Sequence, residues 1–109
     1  IQKAEAIGVR SKSIAIDPGI GFGKNLRHNL ELIANLSQLK TLNKYILLGV
    51  SRKSFIGQIL NTETEDRLEG SLAAGVAGVI NGANILRVHD VAATVRAVRV
   101  AQCIREAKK

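Results

Sequence analysis

Methionine and tryptophan are absent from this 109-residue chain, and cysteine, proline and tyrosine occur once each. The lone Cys103 excludes an internal disulfide framework and a thiolate cage for a structural metal. No apolar run approaches the roughly 20 residues that span a bilayer, and the first residues lack the charged-then-apolar order of a signal peptide. A cytoplasmic protein with no membrane partner is therefore expected. The chain starts at Ile1 without an initiator methionine and reads as a piece of a longer polypeptide. Aromatic residues make up only 3%, and no zinc spacing, basic helix or RNA-binding signature occurs. Nucleic acid is thus not the expected partner, although 16 Lys and Arg against 9 Asp and Glu leave a net charge of +7. The basic residues are spread along the chain, and a small anionic ligand needs only a few of them in one cleft.

What is present suits one modest core: 46% of residues are hydrophobic and 23% charged. A chain of this length buries roughly 65% of its unfolded surface. Hydrophobic periodicity repeats a unit of short apolar run, glycine-marked loop and longer amphipathic segment. After the end of a helix over residues 3–7, residues 14–16 form the first strand and residues 17–24 a loop. Leu26, Leu30, Ile33 and Leu36 follow at helical spacing, with Asn25 as cap. Residues 45–50 are apolar on both faces, as in a parallel strand covered on both sides. A polar loop over residues 51–69 includes a short helix at 54–60, and its Glu63, Glu65, Asp66 and Glu69 read as solvated surface. Gly70 and Ser71 open a helix to Ile80 in which Gly75 and Gly78 allow close backbone approach. Asn81 and Gly82 end it, residues 85–88 form the third strand, and Asp90 caps a last helix striped by Val91, Val95, Val98 and Ala101. Three strand-then-helix units imply right-handed crossovers and a parallel sheet, an α/β architecture in one domain over residues 1–109.

Parallel strands place their carboxyl ends on one rim, where α/β folds bind ligands. The unusual residues fall there three times: Asp17-Pro-Gly-Ile-Gly-Phe-Gly-Lys24, Gly49-Val-Ser-Arg-Lys-Ser-Phe-Ile-Gly57 and Arg87-Val-His-Asp90. With strands about 4.8 Å apart, Asp17, Lys53, Arg87 and His89 can line one pocket. Each also has a structural reading. Asp-Pro-Gly forms turns, Gly19, Gly21 and Gly23 match no phosphate-binding fingerprint, residues 51–54 suit a solvated loop, and His89 suits a capping role. Their joint placement favours a ligand with a polar heterocyclic edge and an anionic group. A carboxylate such as Asp17 accepts from an amino-amide edge, and Lys53 donates to a ring carbonyl. Arg87 can stack on a ring, and Arg87 or His89 can hold a phosphate. Phe22 offers an apolar wall, and the Ser54 hydroxyl a contact for a carboxylate.

Together "DPGIGFGK", "GVSRKSFIG" and "RVHD", with the "RLEGSLAA" helix opening between the last two, resemble the last three signature segments of the dihydropteroate synthase family, the target of sulfonamides. The resemblance covers essentially the whole chain in the right order. It implies the C-terminal three strand-helix units of a (β/α)8 TIM barrel. It also implies condensation of p-aminobenzoate with 6-hydroxymethyl-7,8-dihydropterin pyrophosphate to dihydropteroate and pyrophosphate. The positions matching Asp17 and Lys53 then hold the pterin, Arg87 stacks over it, and His89 binds the leaving pyrophosphate. Phe22, Arg52 and Ser54 border the aminobenzoate site, and Gly49 belongs to the same substrate-binding set. No residue is assigned as a catalytic nucleophile and none as a metal ligand, since Mg²⁺ accompanies pyrophosphate through a ligand in the first part of the barrel.

A barrel needs eight strands and about 250 residues, so the resemblance implies an incomplete fragment, inactive alone. Such a piece exposes an edge strand and apolar faces, and self-association is expected. The family implies a homodimer through the last helices. Two other readings stay open: the methyltetrahydrofolate-binding domain of a corrinoid methyltransferase, and a non-catalytic pterin- or phosphate-binding module.

Overall fold

The computed structural model describes residues 15–21, 25–42 and 44–108. The expected helix over residues 3–7, Phe22 and part of the glycine-rich loop lie outside the described residues. Three strands, β1 (Ala15–Ile16), β2 (Tyr45–Leu48) and β3 (Ile85–Leu86), form a parallel sheet in sequence order. The register pairs Ala15 with Tyr45 and Ile16 with Ile46, then Leu47 with Ile85 and Leu48 with Leu86. Asn84 extends the second ladder, donating its N–H to the Ile46 carbonyl at 2.8 Å and accepting the Ile46 N–H on its side chain at 2.9 Å.

Among the described residues the crossovers carry three helices, α1 (Leu26–Ala34) between β1 and β2, and α2 (Ser54–Leu60) and α3 (Leu68–Ile80) between β2 and β3, and a fourth, α4 (Val91–Glu106), follows β3. Asn25 caps α1 as expected, its side chain accepting the His28 N–H at 2.8 Å. The helix stops at Ala34, short of Leu36: Asn35 leaves helical geometry at φ −110° and its side-chain amide donates to the Glu31 carbonyl at 2.9 Å. Leu36 instead opens a 3₁₀ segment, Leu36–Leu42, and is still fully buried. The short helix expected at residues 54–60 is α2. A further 3₁₀ turn, Thr64–Asp66, follows it, and α3 begins two residues before Gly70.

Other expectations need correction. β2 ends at Leu48 and not at residue 50, because the Val50 carbonyl turns to accept the Lys53 N–H. β3 likewise covers Ile85–Leu86 and not residues 85–88. Among the described residues one face of β2 is fully covered, with Ile46 and Leu48 buried, while on the other Leu47 is half-buried and Tyr45 48% exposed. Along the α4 stripe Val91 is 60% and Val95 51% exposed, while Val98 and Ala101 are half-buried. Asp90 stands at the α4 N-cap without a side-chain capping bond, because its carboxylate is engaged by Arg52.

The core gathers Ile20, Ile33, Leu36, Ile46, Leu48, Val50, Phe55, Ile56 and Ala83 between the sheet and the helices. Gly78 of α3 faces the Leu48 side chain so closely that a Cβ there would collide with it. That contact seats α3 on β2. Glu63, Glu65, Asp66 and Glu69 are exposed, as expected.

Candidate functional site

The turn after β1 is made by the Asp17 carboxylate, whose Oδ1 accepts the Gly19 N–H at 2.8 Å. Gly19 and Gly21 follow with φ of 75° and 93°, a region that glycine enters without a Cβ penalty. The Gly21 N–H donates to Oδ1 of Asn29 at 2.8 Å, and this amide on α1 is only 3% exposed. Asn29 therefore ties the glycine turn to the helix beneath it. The Lys53 stem passes Gly21, where a Cβ would make an ordinary contact 3.4 Å from Lys53 Cδ, so it is the positive φ and not space that favours glycine there.

The turn after β2 sends its side chains to both neighbours. Lys53 Nζ donates to the Ile20 carbonyl at 2.7 Å, beside the β1 turn. Arg52 goes the other way and pairs with Asp90 at 3.0 Å, at the start of α4. Ser51 is buried, and its hydroxyl accepts the His89 N–H at 3.2 Å and meets the imidazole Nδ1 at 2.9 Å. One hydroxyl thus fixes both the backbone and the ring of His89 relative to β2.

These turns surround a hollow of about 280 Å³ lined by Gly49, Ser51, Lys53, Arg87, Val88 and His89. Asp17 stands beside it, its Oδ2 3.3 Å from Arg87 Nη2. That pair is long and solvent-exposed, the Arg87 side chain being 70% accessible. An exposed ion pair of this kind contributes little and yields readily to a competing partner. Lysine, arginine and imidazole against one carboxylate make the hollow attractive to an anion. The carboxylate and the nearby backbone groups add hydrogen-bonding capacity for a polar ring edge.

Of the expected site residues, Asp17, Gly49, Lys53, Arg87 and His89 gather here. Arg52 is turned toward Asp90, Ser54 is the exposed first residue of α2 and is not part of the lining, and Phe22 lies outside the described residues. Sequence reasoning did not single out Ser51 or Asn29. Ser51 sits inside the quoted second string, and Asn29 carried a signal of its own, an amide beside the apolar stripe of α1. Among the described residues no group of three or more His, Cys, Asp or Glu side chains is placed to hold a metal ion. Among them, too, no helix is long and apolar enough to cross a membrane.

Parallel strand-helix units with a cationic hollow on the carboxyl rim define an α/β protein of the kind that binds ligands at that rim. The comparisons specify which. The family model for pterin binding enzymes matches residues 1–89, and the chain belongs to that family. It is 47% identical over all 109 residues to the dihydropteroate synthase of Escherichia coli K12, spanning 39% of that protein. To the synthase of Clostridium beijerinckii it is 46% identical over 105 residues, covering 95% of this chain and 39% of the relative. The crystal structure of the Yersinia pestis synthase with a sulfonamide drug complex superposes with a TM-score of 0.94 at 44% identity, covering 98% of this chain and 39% of that one. The Coxiella burnetii synthase in complex with pteroic acid gives 0.93 at 41% identity, covering 98% and 40%. The three units therefore correspond to part of a (β/α)8 barrel.

Proposed function

We propose that this chain supplies the pterin- and pyrophosphate-binding rim of a dihydropteroate synthase, as a partial barrel domain over residues 1–109. The reading rests on one observation above others: Lys53, Arg87 and His89 converge on one hollow with Asp17 against Arg87, in a chain 47% identical to such an enzyme. The substrates are p-aminobenzoate and 6-hydroxymethyl-7,8-dihydropterin pyrophosphate.

In the reaction the bond between the exocyclic methylene and the pyrophosphate oxygen breaks, and the positive charge left on carbon is delocalised into the pterin. The neutral aryl amine attacks that carbon, forms the C–N bond and releases a proton. No activated nucleophile is needed, so rate comes from positioning both substrates and stabilising the departing anion. Asp17 accepts from the amino-amide edge of the pterin and Lys53 donates to its ring carbonyl. Arg87 lies over the ring after exchanging its weak contact with Asp17 for the ligand. His89, held by Ser51, binds the pyrophosphate. Ser54 meets the aminobenzoate carboxylate, with Phe22 and Arg52 bordering that site. A sulfonamide competes there.

Mg²⁺ belongs with the pyrophosphate, but the described residues offer it no converging ligand set, and no step is assigned to it. A homodimer through α4 fits the exposure of Val100 and Ile104 on that helix. Cytoplasmic folate synthesis is the setting.

The test joins this chain to the amino-terminal part of the E. coli barrel and measures dihydropteroate formation. Turnover that is lost in Lys53→Ala supports the reading. Pterin binding without turnover in the completed barrel identifies a binding module instead, and absence of both refutes a pterin site.

A further inference from the structure

Two residues in the described chain have positive φ without being glycine, Arg52 at 57° and Asn61 at 55°. Asn61 is at home there, since asparagine tolerates the left-handed region and here ends α2. Arginine has no such tolerance, so the surroundings must hold Arg52 in place. They do so through both of its backbone polar groups. The Arg52 N–H donates to Ser71 Oγ at 2.8 Å, and the Arg52 carbonyl accepts from Arg67 Nη1 at 3.0 Å. The same Ser71 hydroxyl donates to the Arg67 carbonyl at 2.6 Å, so its lone pair is aimed at Arg52. The Arg67 guanidinium lies against Gly57, where a Cβ would stand 2.5 Å from Nη2. Its Nε is buried without a hydrogen-bond partner, a sacrifice that leaves Nη1 directed at the Arg52 carbonyl.

We propose that Arg67 and Ser71, at the opening of α3, are positioning residues for the rim: they latch Arg52 in the left-handed conformation that sends Arg52 toward Asp90 and Lys53 across the β1 turn. Neither lines the hollow, and they act only through the backbone of residue 52. The latch explains why two consecutive cations diverge to opposite neighbours of β2, at Asp90 and at the Ile20 carbonyl. Its effect on substrate rests on the functional reading above. Its effect on loop geometry does not.

The experiment uses the completed barrel and compares Arg67→Ala, Arg67→Lys, Ser71→Ala and Gly57→Ala with Asn81→Ala. Asn81 donates to the Ile33 carbonyl at 3.1 Å, away from the rim, and serves as a control for lost stability alone. Three quantities are read: the dissociation constant for dihydropterin pyrophosphate, the melting temperature, and hydrogen exchange at the Arg52 amide. Arg67→Ala and Ser71→Ala are expected to weaken the pterin ligand about tenfold and to speed Arg52 exchange, as loss of one hydrogen bond to a charged or positioned group does. Gly57→Ala, which displaces the guanidinium, follows them, and Arg67→Lys recovers part of the affinity. Asn81→Ala lowers the melting temperature with affinity unchanged. Unchanged Arg52 exchange in Arg67→Ala and Ser71→Ala overturns the latch even where no pterin binds. Faster exchange with unchanged affinity overturns its role in positioning, and affinity that falls in Asn81→Ala in step with its melting temperature does the same.

Discussion

The rim hollow and the groove between α1, α2 and α3 are opposite kinds of concavity in one small chain. The groove is larger, about 410 Å³, and is lined by Leu30, Ile33, Phe55, Ile56, Ile59, Leu60 and small residues of α3. Its one hydrogen-bonding side chain among the lining residues is Asn81, whose amide already donates to the Ile33 carbonyl. The rim hollow is smaller, yet every strand end that reaches it brings charge or a hydrogen-bonding side chain. Size does not select the site: apolar walls supply affinity without direction, whereas a few placed polar groups decide which molecule fits and how. The two regions also differ in what holds them. The groove follows from close packing of glycine and aliphatic surfaces, and the rim from hydrogen bonds that cross between elements.

That contrast breaks most visibly at the rim. Lys53→Ala and Arg87→Ala should each weaken dihydropterin pyrophosphate binding by about 10- to 100-fold, with little change in melting temperature, in a calorimetric titration. The packing side should respond the other way. Gly78→Ala places a methyl group against the buried Leu48 and should cost about 1–3 kcal/mol of stability in a denaturant titration, leaving the hydrogen bonds of the rim intact. Asn25→Ala removes the cap of α1 and should cost about 1 kcal/mol by the same measurement. Arg27→Ala, which breaks only the exposed pair with Glu31, should change stability by less than about 0.5 kcal/mol. A rim substitution that unfolds the chain, or a packing substitution that abolishes ligand affinity in a folded chain, would erase the distinction.

Much of this was legible in the sequence, for identifiable reasons. The strand-helix order follows from short apolar runs separated by amphipathic segments, and Asn25 announced its helix because a cap is a local device. The rim residues stood out as charges at the ends of apolar runs. Ends of elements were read less well, since Asn35 and Val50 redirect the backbone through bonds that no periodicity displays. The second face of β2 reads as covered from sequence, because hydrophobicity marks a surface to be buried without naming its cover. Asp90 looked like a cap until Arg52 claimed its carboxylate, a contact across 38 residues of sequence. Arg67 and Ser71 lie in the quoted "RLEGSLAA" opening, but their hold on Arg52 does not show in sequence, since their partners there are backbone atoms of a loop 15 and 19 residues away.

The most direct test of the central claim is an amide chemical-shift titration of the isotope-labelled completed barrel with dihydropterin pyrophosphate. Saturable shifts at Gly49, Ser51, Lys53, Arg87 and His89, with the Ile59, Leu60 and Ala73 signals still, are the expected result. Shifts confined to the groove residues, or none at the rim at saturating ligand, would contradict it.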